Sequence, residues 1–464
     1  MKHEDIKIIY NNEELIGKEI TVCGWVRNIR RSKNMCFVEI NDGTSLKNLQ
    51  LVIDNKLPKN VEFFSKLNIG SSIAVNGIVV NSMNKQQNVE LEVKNAQLLG
   101  DCPEDYPIQR KKQNMEYLRE YPHLRTRTNT FNAVFRVRSV LAKAAHDYFQ
   151  ENNFTYVNTP IITGSDCEGA GEMFKLTTLD LDKVSKENYN PNIYEKDFFG
   201  KKVGLTVSGQ LEAEAMACSL GKVYTFGPTF RAENSNTKRH AAEFWQIEPE
   251  VAFADLDDII ELATNLIKYV LKRVLLECSE EINFFTRFYD NGLFDRLTNV
   301  VESDFGRLDY TDAIKILEES EKDFEFPVYW GCDLKSEHER YLTDIVYKKP
   351  LFVTNYPKEL KSFYMKANPD GKTVASTDLL VPGIGEIIGA SQREDNFELL
   401  NNRIKELNMT EEDYYWYMDL RKYGTVPHSG FGIGFERLIM YTTGMDNIRD
   451  VSTFPRTKCK KLKL

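Results

Sequence analysis

Residues 226–250 read FGPTFRAENSNTKRHAAEFWQIEPE, and this stretch predicts the hairpin on which the larger domain is built. Extended runs at residues 223–233 and 243–251 flank a polar, basic segment, which is the pattern of an antiparallel strand pair with a long loop. Side chains alternate between the two faces of a strand, so Arg231 and Glu233 share one face of the first strand. The corresponding face of the partner strand carries Phe244, Gln246 and Glu248.

The predicted hairpin surface combines a guanidinium, an aromatic ring and carboxylates. Arg231 can give a phosphate two parallel charge-assisted hydrogen bonds, and the ring of Phe244 suits a purine. For Arg231 and Glu233 alone, a solvated hairpin with an isolated ion pair is the simpler interpretation. The length of the pattern favours a nucleotide site instead.

The spacing FRAExSxTxRHxxEFxxxExE resembles motif 2 of the class II aminoacyl-tRNA synthetases of the aspartyl/asparaginyl/lysyl subgroup, and most of all its asparagine-specific members. The similarity runs from about residue 17 to the C-terminus, and several motifs agree in order. It implies an α+β protein, with an N-terminal OB-fold β-barrel and a class II catalytic domain built on an antiparallel sheet flanked by helices. The predicted boundaries are 1–104 for the anticodon-binding OB domain, 105–130 for a hinge, 131–464 for the catalytic domain, and about 255–345 for a mostly helical insertion within it.

Composition fits a protein of two or three domains. The chain has 464 residues, of which 42% are hydrophobic and 28% charged, and its formal charge of −9 argues against a surface covered in nucleic-acid-binding charge. The eight cysteines form no C-x-x-C pair, so neither zinc nor a disulfide framework is expected. No segment is apolar enough to span a membrane and no presequence is evident, so we expect a cytoplasmic protein. Local basic patches occur at residues 27–33, 110–112 and 456–464.

Five short strand patterns between residues 17 and 100 predict a small barrel. The resemblance implies that Phe37 stacks on the middle anticodon base, that Gln50 hydrogen-bonds it, and that Arg27 and Arg30 meet backbone or bases. Core packing is the alternative for Phe37.

The hinge and the dimer interface are predicted next along the chain. Residues 101–130 carry three prolines and six Lys or Arg side chains, which is typical of a hinge that attracts tRNA phosphates or of a plain polar linker. From Thr130, apolar residues recur at helical spacing and predict an amphipathic helix of about five turns. The following stretch, FTYVNTPIIT, predicts a strand containing Pro160. Together these resemble motif 1 and imply a homodimer, whereas a core helix beside an edge strand is the alternative.

Three positions carry the predicted choice of amino acid. Where aspartyl enzymes have a lysine in SPQLYKQ, this chain has Ala213, and a buried carboxylate without a cation is costly. Glu248 would accept from a carboxamide NH2 and repel a carboxylate, and Arg393 would donate to the side-chain oxygen. L-Asparagine is therefore favoured over aspartate.

The resemblance implies the remaining contacts. Glu168, in the Gly-rich loop at residues 164–174, would bind the α-ammonium group of the amino acid, and Gln210 would hydrogen-bond the same substrate. Asp378 and Glu386 flank a Gly/Pro turn and would hold Mg2+. The implied ATP contacts are Arg231 at the α-phosphate, Glu233 and His240 near the nucleotide, Phe244 under adenine, Glu386 through the metal, and Arg437 of the motif 3-like stretch 428–441 at the γ-phosphate.

The implied reaction needs no general base, because the attacking amino-acid carboxylate is already ionised. Arg231, Arg437 and Glu386 would align ATP and relieve charge, and the aminoacyl group would pass to the 3′ end of tRNA-Asn. Two alternatives remain: a non-discriminating aspartyl-tRNA synthetase, and a non-catalytic RNA-binding relative. Ala213 and Glu248 disfavour the first, and the filled catalytic positions disfavour the second.

Overall fold

The computed structural model describes residues 2–54, 58–82, 87–109, 113–168, 173–181, 192–234 and 237–458. The chain divides into two compact units, Met1–Phe135 and Arg136–Leu464. The predicted basic patch at 110–112, part of the loop at 164–174 and most of the basic C-terminus lie outside the described residues.

The first unit contains a closed five-stranded barrel. Its strands are Glu19–Arg31 (β1), Met35–Asn41 (β2), Leu49–Asp54 (β3), Ser72–Asn81 (β4) and Val89–Gly100 (β5). They pair in the order β1-β2-β3-β5-β4, and closure leaves no free sheet edge. The five predicted strand patterns and the OB-fold are thereby confirmed. Each strand gives the core at least one fully buried aliphatic side chain: Val22, Val38, Leu51, Val75 and Leu91.

Short helices complete this unit, at Ile6–Asn11 (α1), Pro58–Ser65 (α2) and Met115–Glu120 (α3). The segment predicted as a hinge has a small apolar core of its own, in which Tyr106, Leu118 and Phe131 are buried. Arg125 is fully buried here, with its guanidinium 4.2 Å from the ring centroid of Phe131. Much of the predicted hinge is therefore packed rather than extended, and its role as a hinge stays a prediction.

The predicted amphipathic helix is present as Asn129–Glu151 (α4). Its apolar stripe, from Val134 to Tyr148, is buried as the spacing predicts. The strand predicted after it is wrong in extent, because only Thr155–Tyr156 (β6) and Ile162–Thr163 (β7) form ladders. Pro160 lies between them and cannot donate to a ladder, which accounts for the interruption.

The second unit is built on an eight-stranded sheet. Besides β6 and β7, the strands of this unit are Lys175–Leu176 (β8), Val203–Leu205 (β9), Lys222–Phe230 (β10), Glu243–Ala252 (β11), Gly306–Asp309 (β12), Leu351–Thr354 (β13), Ser376–Val381 (β14), Gly385–Gln392 (β15) and His428–Gly434 (β16). The sheet order is β12-β13-β14-β15-β16-β11-β10-β6, antiparallel except at its two outermost pairs. The predicted hairpin is β10–β11, with Thr229 opposite Phe244. A separate three-stranded sheet has the order β7-β9-β8.

Helices flank the large sheet. They are Gln210–Leu220 (α5), Leu256–Glu277 (α6), Ser279–Phe288 (α7), Leu293–Glu302 (α8), Tyr310–Glu318 (α9), Ser336–Arg340 (α10), Phe397–Glu406 (α11), Glu411–Lys422 (α12) and Phe435–Thr443 (α13). The predicted helical insertion holds α6 to α10, but it also supplies β12 to the sheet. Asp255 and Asp258 form a capping box at the start of α6, as their position predicts. No helix within the described ranges is both long and apolar enough to cross a bilayer.

Candidate active site

One cavity of about 340 Å³ in the second unit collects every predicted site residue of the larger domain. Its walls come from the hairpin β10–β11, from β14 to β16, and from the beginnings of α5 and α13. The eleven predicted residues that line it are Glu168, Gln210, Arg231, Glu233, His240, Phe244, Glu248, Asp378, Glu386, Arg393 and Arg437.

Arg231 lies just beyond the end of β10, where its backbone N–H donates to the carbonyl oxygen of Ala242 at 3.0 Å. Its guanidinium donates to Glu168 Oε1 at 2.5 Å and lies 5.4 Å from the ring centroid of Phe244. Burial raises the pKa of Glu168, and the charge of Arg231 acts in the opposite direction. Two groups predicted to bind different parts of the substrates thus neutralise each other here.

Two carboxylates and two cations form the opposite wall. Arg437 of α13 donates to Glu386 Oε2 at 3.1 Å, and Lys361 Nζ donates to both oxygens of Asp378 at 2.8 and 2.7 Å. A Cβ atom at Gly389 would lie 3.5 Å from Glu386 Oε1 and 3.7 Å from Asp378 Oδ1. The two acids therefore face a common space that a side chain at Gly389 would fill.

This acid pair fits a Mg2+ ion held partly by phosphate. Mg2+ binds through one or two carboxylates plus substrate phosphates, and both oxygens lie close to one point above Gly389. Across the described ranges, no cluster of three or more His, Cys, Asp or Glu side chains is arranged for a metal. An ion at Asp378 and Glu386 would therefore depend on phosphate oxygens to complete its coordination.

A third acid beside this pair was not found from the sequence. Glu339 lies within the segment WGCDLKSEHERYLT, whose chemistry the sequence did not reveal, and it accepts from the backbone N–H of Glu386 at 3.2 Å. Burial and the neighbouring charges of Glu386 and Asp378 raise the pKa of Glu339 to about 8. Its partner is 47 residues away along the chain, so no local pattern pointed to it.

Glu248 lies on β11 with its carboxylate held by three donors. The hydroxyl of Ser208 donates to Oε1, while the Gly209 N–H and the Thr225 hydroxyl donate to Oε2 at 3.1 and 3.2 Å. The side chain is nearly buried but lines the cavity. A carboxylate fixed in this way offers acceptors and no donor to a ligand.

Arg393 is held by Glu250, another residue that the sequence analysis did not single out. Its Nε donates to Glu250 Oε2 at 3.2 Å, its Nη2 donates to Oε1, and its Nη1 donates to the hydroxyl of Ser391 at 2.6 Å. The alternation that places Phe244, Gln246 and Glu248 on one face continues to Glu250, so the signal was present.

Ala213 stands where the aspartyl enzymes have a lysine, and it supplies no cation there. It is fully buried in an apolar cluster with Val157, Ala217 and Val223, and it is not among the residues lining the cavity. A buried methyl group offers no cation to a substrate carboxylate, so the selectivity predicted from Ala213 stays a prediction. Glu248 and Arg393 both line the cavity, and their predicted part in distinguishing an amide from a carboxylate stays a prediction.

The loop after β10 adds basic groups to the cavity. His240 Nε2 lies 3.9 Å from Glu233 Oε2, and residues 235–236 between them lie outside the described ranges. Arg239, which was not predicted, also lines the cavity and donates to the hydroxyl of Ser336 at 2.8 Å.

On the barrel, three of the four predicted anticodon residues lie together. Arg30 Nη2 donates to Gln50 Oε1 at 2.7 Å, and the guanidinium carbon of Arg30 lies 5.9 Å from the ring centroid of Phe37. Phe37 is partly exposed between the buried Cys36 and Val38, so the core-packing alternative is wrong.

Arg27 belongs to a different environment from these three. It lies at a bulge of β1 between Val26 and Asn28, where the ladder to β2 shifts register. Burial lowers its pKa to about 10, and the charge of Arg127 acts in the same direction. Its predicted part in anticodon binding stays a prediction.

Comparisons with known proteins agree with these features. A family model described as tRNA synthetases class II (D, K and N) matches residues 114–458, and an OB-fold nucleic acid binding domain matches residues 20–99. The chain is 56% identical over 458 residues to the asparagine–tRNA ligase of Clostridium kluyveri, covering 98% of this chain and 99% of that protein. It is 57% identical over 453 residues to the corresponding ligase of Clostridium beijerinckii, with 97% of each chain covered.

The chain is also similar to solved structures of asparaginyl-tRNA synthetases. The asparaginyl-tRNA synthetase of Pyrococcus horikoshii complexed with asparaginyl-adenylate superposes with a TM-score of 0.87 at 34% identity, covering all of both chains. The enzyme of Entamoeba histolytica superposes with a TM-score of 0.82 at 30% identity, covering 96% of this chain and 98% of that one.

Proposed function

The chain belongs to the class II tRNA synthetases (D, K and N), and we infer that it is the member that ligates L-asparagine to tRNA with ATP. One observation carries this inference most directly: Glu248 and Arg393 line the same cavity as Arg231 and Arg437. A carboxylate acceptor and a guanidinium donor suit the two ends of a carboxamide, while the other two arginines suit a triphosphate. The function of the full-length relatives agrees.

We propose that substrate binding replaces the pair Arg231–Glu168. The α-ammonium group of asparagine takes the place of the guanidinium beside Glu168, and Arg231 turns its two donors to the α-phosphate. Each charged group exchanges one partner of opposite charge for another, so neither is left buried and unpaired. The same exchange brings the amino-acid carboxylate beside the α-phosphorus, which is the alignment the reaction needs.

The leaving pyrophosphate is stabilised by the opposite wall. Arg437 meets the γ-phosphate, and the bond that it now makes to Glu386 orients it in advance. Asp378 and Glu386 would hold Mg2+, which when bound would offset charge on the β- and γ-phosphates. Phe244 stacks under adenine, with Glu233 and His240 beside the nucleotide.

The proposal includes tRNA-Asn as the second substrate, accepted at its 3′-hydroxyl, and a cytoplasmic location. The barrel face that carries Arg30 and Phe37, together with Gln50, which is buried in this structure, binds the anticodon by stacking and hydrogen bonding. It also includes a homodimer through α4 and the strand segment after it. In support, Tyr156, Ile161 and Ile162 are about two-fifths exposed, and large apolar side chains exposed within one short segment mark a contact surface.

Aminoacylation tests this function directly. The protein is incubated with tRNA-Asn or tRNA-Asp and with asparagine or aspartate, in all four combinations. We expect charging only of tRNA-Asn with asparagine. Charging of both tRNAs with aspartate would support the non-discriminating aspartyl enzyme, and no charging with any pair would support the non-catalytic relative.

Phe37→Ala is expected to weaken tRNA use without affecting adenylate formation. Loss of one base–aromatic stack costs about 1–3 kcal/mol, which raises the KM for tRNA-Asn by about 5- to 150-fold. ATP–pyrophosphate exchange, which needs no tRNA, should stay at the wild-type rate. Phe37→Tyr keeps the aromatic face and serves as the matched control. A parallel fall of exchange and aminoacylation in Phe37→Ala would contradict a role confined to the anticodon.

Asp378→Asn is expected to raise the Mg2+ concentration needed for half-maximal exchange by about 10-fold, because a neutral amide is a weaker ligand for a hard cation. It also leaves Lys361 without its carboxylate partner. Asp446→Asn, at an exposed acid paired with Lys238, is the control and should leave the Mg2+ titration unchanged. Identical Mg2+ titrations of Asp378→Asn and wild type would remove Asp378 from the metal site.

A further inference from the structure

Behind the cavity wall, the carboxylate of Glu214 connects the amino-acid subsite to the helical layer. Glu214 lies on α5, has no exposed surface, and does not line the cavity. Its Oε2 accepts from the Tyr417 hydroxyl at 2.7 Å, from Arg421 Nη2 at 2.9 Å, and from His428 Nε2 at 2.9 Å. These three donors fix that oxygen against α12 and β16.

The other oxygen of Glu214 points toward the substrate side. Oε1 accepts from Gln210 Nε2 at 3.0 Å and lies 3.9 Å from Arg393 Nε. Gln210 and Arg393 both line the cavity, and both are among the predicted amino-acid contacts. One buried oxygen thus lies behind two of the four predicted contacts to the amino acid.

Contact with Glu214 also decides which end of the Gln210 amide faces the cavity. A carboxylate only accepts hydrogen bonds, so the NH2 end of the amide must turn toward it. The carbonyl oxygen is then the end that remains for the ligand. Burial opposes ionisation of Glu214, but Arg421 and His428 outweigh it and hold the pKa of the carboxyl below its usual range.

We propose that Glu214 is a positioning residue for the amino acid: it presents the Gln210 carbonyl to the substrate and, with Glu250, fixes the guanidinium of Arg393. Arg393 donates from Nε and Nη2 to Glu250, and the Glu214 carboxylate holds the same guanidinium from the side of α5. This inference rests on the proposed function, because Glu214 acts on the amino acid only through Gln210 and Arg393.

Glu214→Gln tests the two oxygens separately, because it keeps one of them as a carbonyl oxygen and replaces the other with an NH2 group. Arg421 Nη2 can only donate and the Tyr417 hydroxyl also faces the Oε2 position, so the new carbonyl oxygen stays there and the new NH2 group takes the place of Oε1. That NH2 then faces the NH2 of Gln210 and the guanidinium of Arg393. The Gln210 amide must flip, which replaces an acceptor in the cavity with a donor.

The experiment measures ATP–pyrophosphate exchange by Glu214→Gln with asparagine, aspartate and ATP each varied. We expect the KM for asparagine to rise by about 10-fold, as for one lost hydrogen bond to a charged group, with the KM for ATP within about two-fold of wild type. The preference for asparagine over aspartate should fall by about 10-fold, because a negative charge is lost behind the subsite.

Glu281→Gln is the matched control. Glu281 is a buried glutamate of α7 that lies 3.8 Å from Arg136 and does not line the cavity. Its neutralisation should leave both KM values and the preference unchanged. Equal changes in the KM for asparagine and for ATP in Glu214→Gln would indicate general damage and overturn the positioning role.

Glu214→Asp covers the case in which Glu214→Gln does not fold. It keeps the charge for Arg421 and His428 but withdraws the carboxylate by one methylene. We expect a higher KM for asparagine with the preference over aspartate retained, and an unchanged KM would overturn the inference. Wild-type protein without asparagine-dependent exchange would instead overturn the proposed function, so the two failures can be told apart.

Discussion

Arg231→Ala is expected to lower asparagine-dependent ATP–pyrophosphate exchange by about 1,000-fold, the upper range for removing one preorganised donor to developing charge. The Arg231 guanidinium lies beside both Glu168 and the ring of Phe244, where the two substrates are proposed to meet. Without it, the α-phosphate loses a bidentate partner in a partly buried site, where charge is poorly screened by water.

The variant also alters the amino-acid subsite. Glu168 loses its cation, and burial already raises the pKa of that carboxyl. Loss of the Arg231 charge should raise the pKa of Glu168 further, and protonation of this carboxyl weakens its hold on the α-ammonium group. Exchange by Arg231→Ala should recover partly as pH rises, because ionisation of Glu168 is then restored.

Two further variants make this result interpretable. Arg231→Lys keeps a charge but not the planar fork, and should lie between wild type and alanine. Arg307→Ala removes a half-exposed arginine paired with Asp257, and should behave as wild type. If Arg231→Ala folds normally and retains more than about a tenth of the exchange rate, Arg231 does not serve the transition state.

Glu248→Gln is expected to lower kcat/KM for asparagine by about 100- to 1,000-fold, since a site built to hydrogen-bond a polar group discriminates strongly when a partner is wrong. The Gly209 N–H and the Thr225 hydroxyl both need an acceptor, so the new carbonyl oxygen takes the Oε2 position. The NH2 group then replaces Oε1, where it meets the carboxamide NH2 of the substrate.

The same change should help the wrong amino acid. An NH2 group can donate to the aspartate side chain, which Glu248 repels, so kcat/KM for aspartate should fall less or rise. Glu243→Gln, an exposed glutamate on the same strand, is the matched control. An unchanged ratio of asparagine to aspartate in Glu248→Gln would show that this carboxylate does not contact the side chain of the substrate.

Features set by local pattern could be predicted from the sequence. Alternation of apolar and polar residues predicted the five barrel strands and the hairpin β10–β11. Apolar residues at helical spacing predicted α4 and its buried stripe. The same period of two places Glu250 on the Glu248 face, although the motif alone did not point to it. Pro160 was expected at an edge, but its effect was larger, because it divides the predicted strand into two ladders of two residues.

Features set by long-range pairing could not be predicted. Glu214 meets Arg421 and His428 across more than 200 residues, and Glu339 meets Glu386 across 47. Each is one charged residue on a helix, for which a solvated position is the common outcome.

The proposed function depends most on a cavity that distinguishes a carboxamide from a carboxylate. ATP–pyrophosphate exchange by the unaltered protein, with asparagine and aspartate compared in one preparation at saturating ATP and Mg2+, tests this directly. A fixed Glu248 carboxylate opposite Arg393 predicts kcat/KM at least about 100-fold higher for asparagine. Equal values for the two amino acids would contradict it.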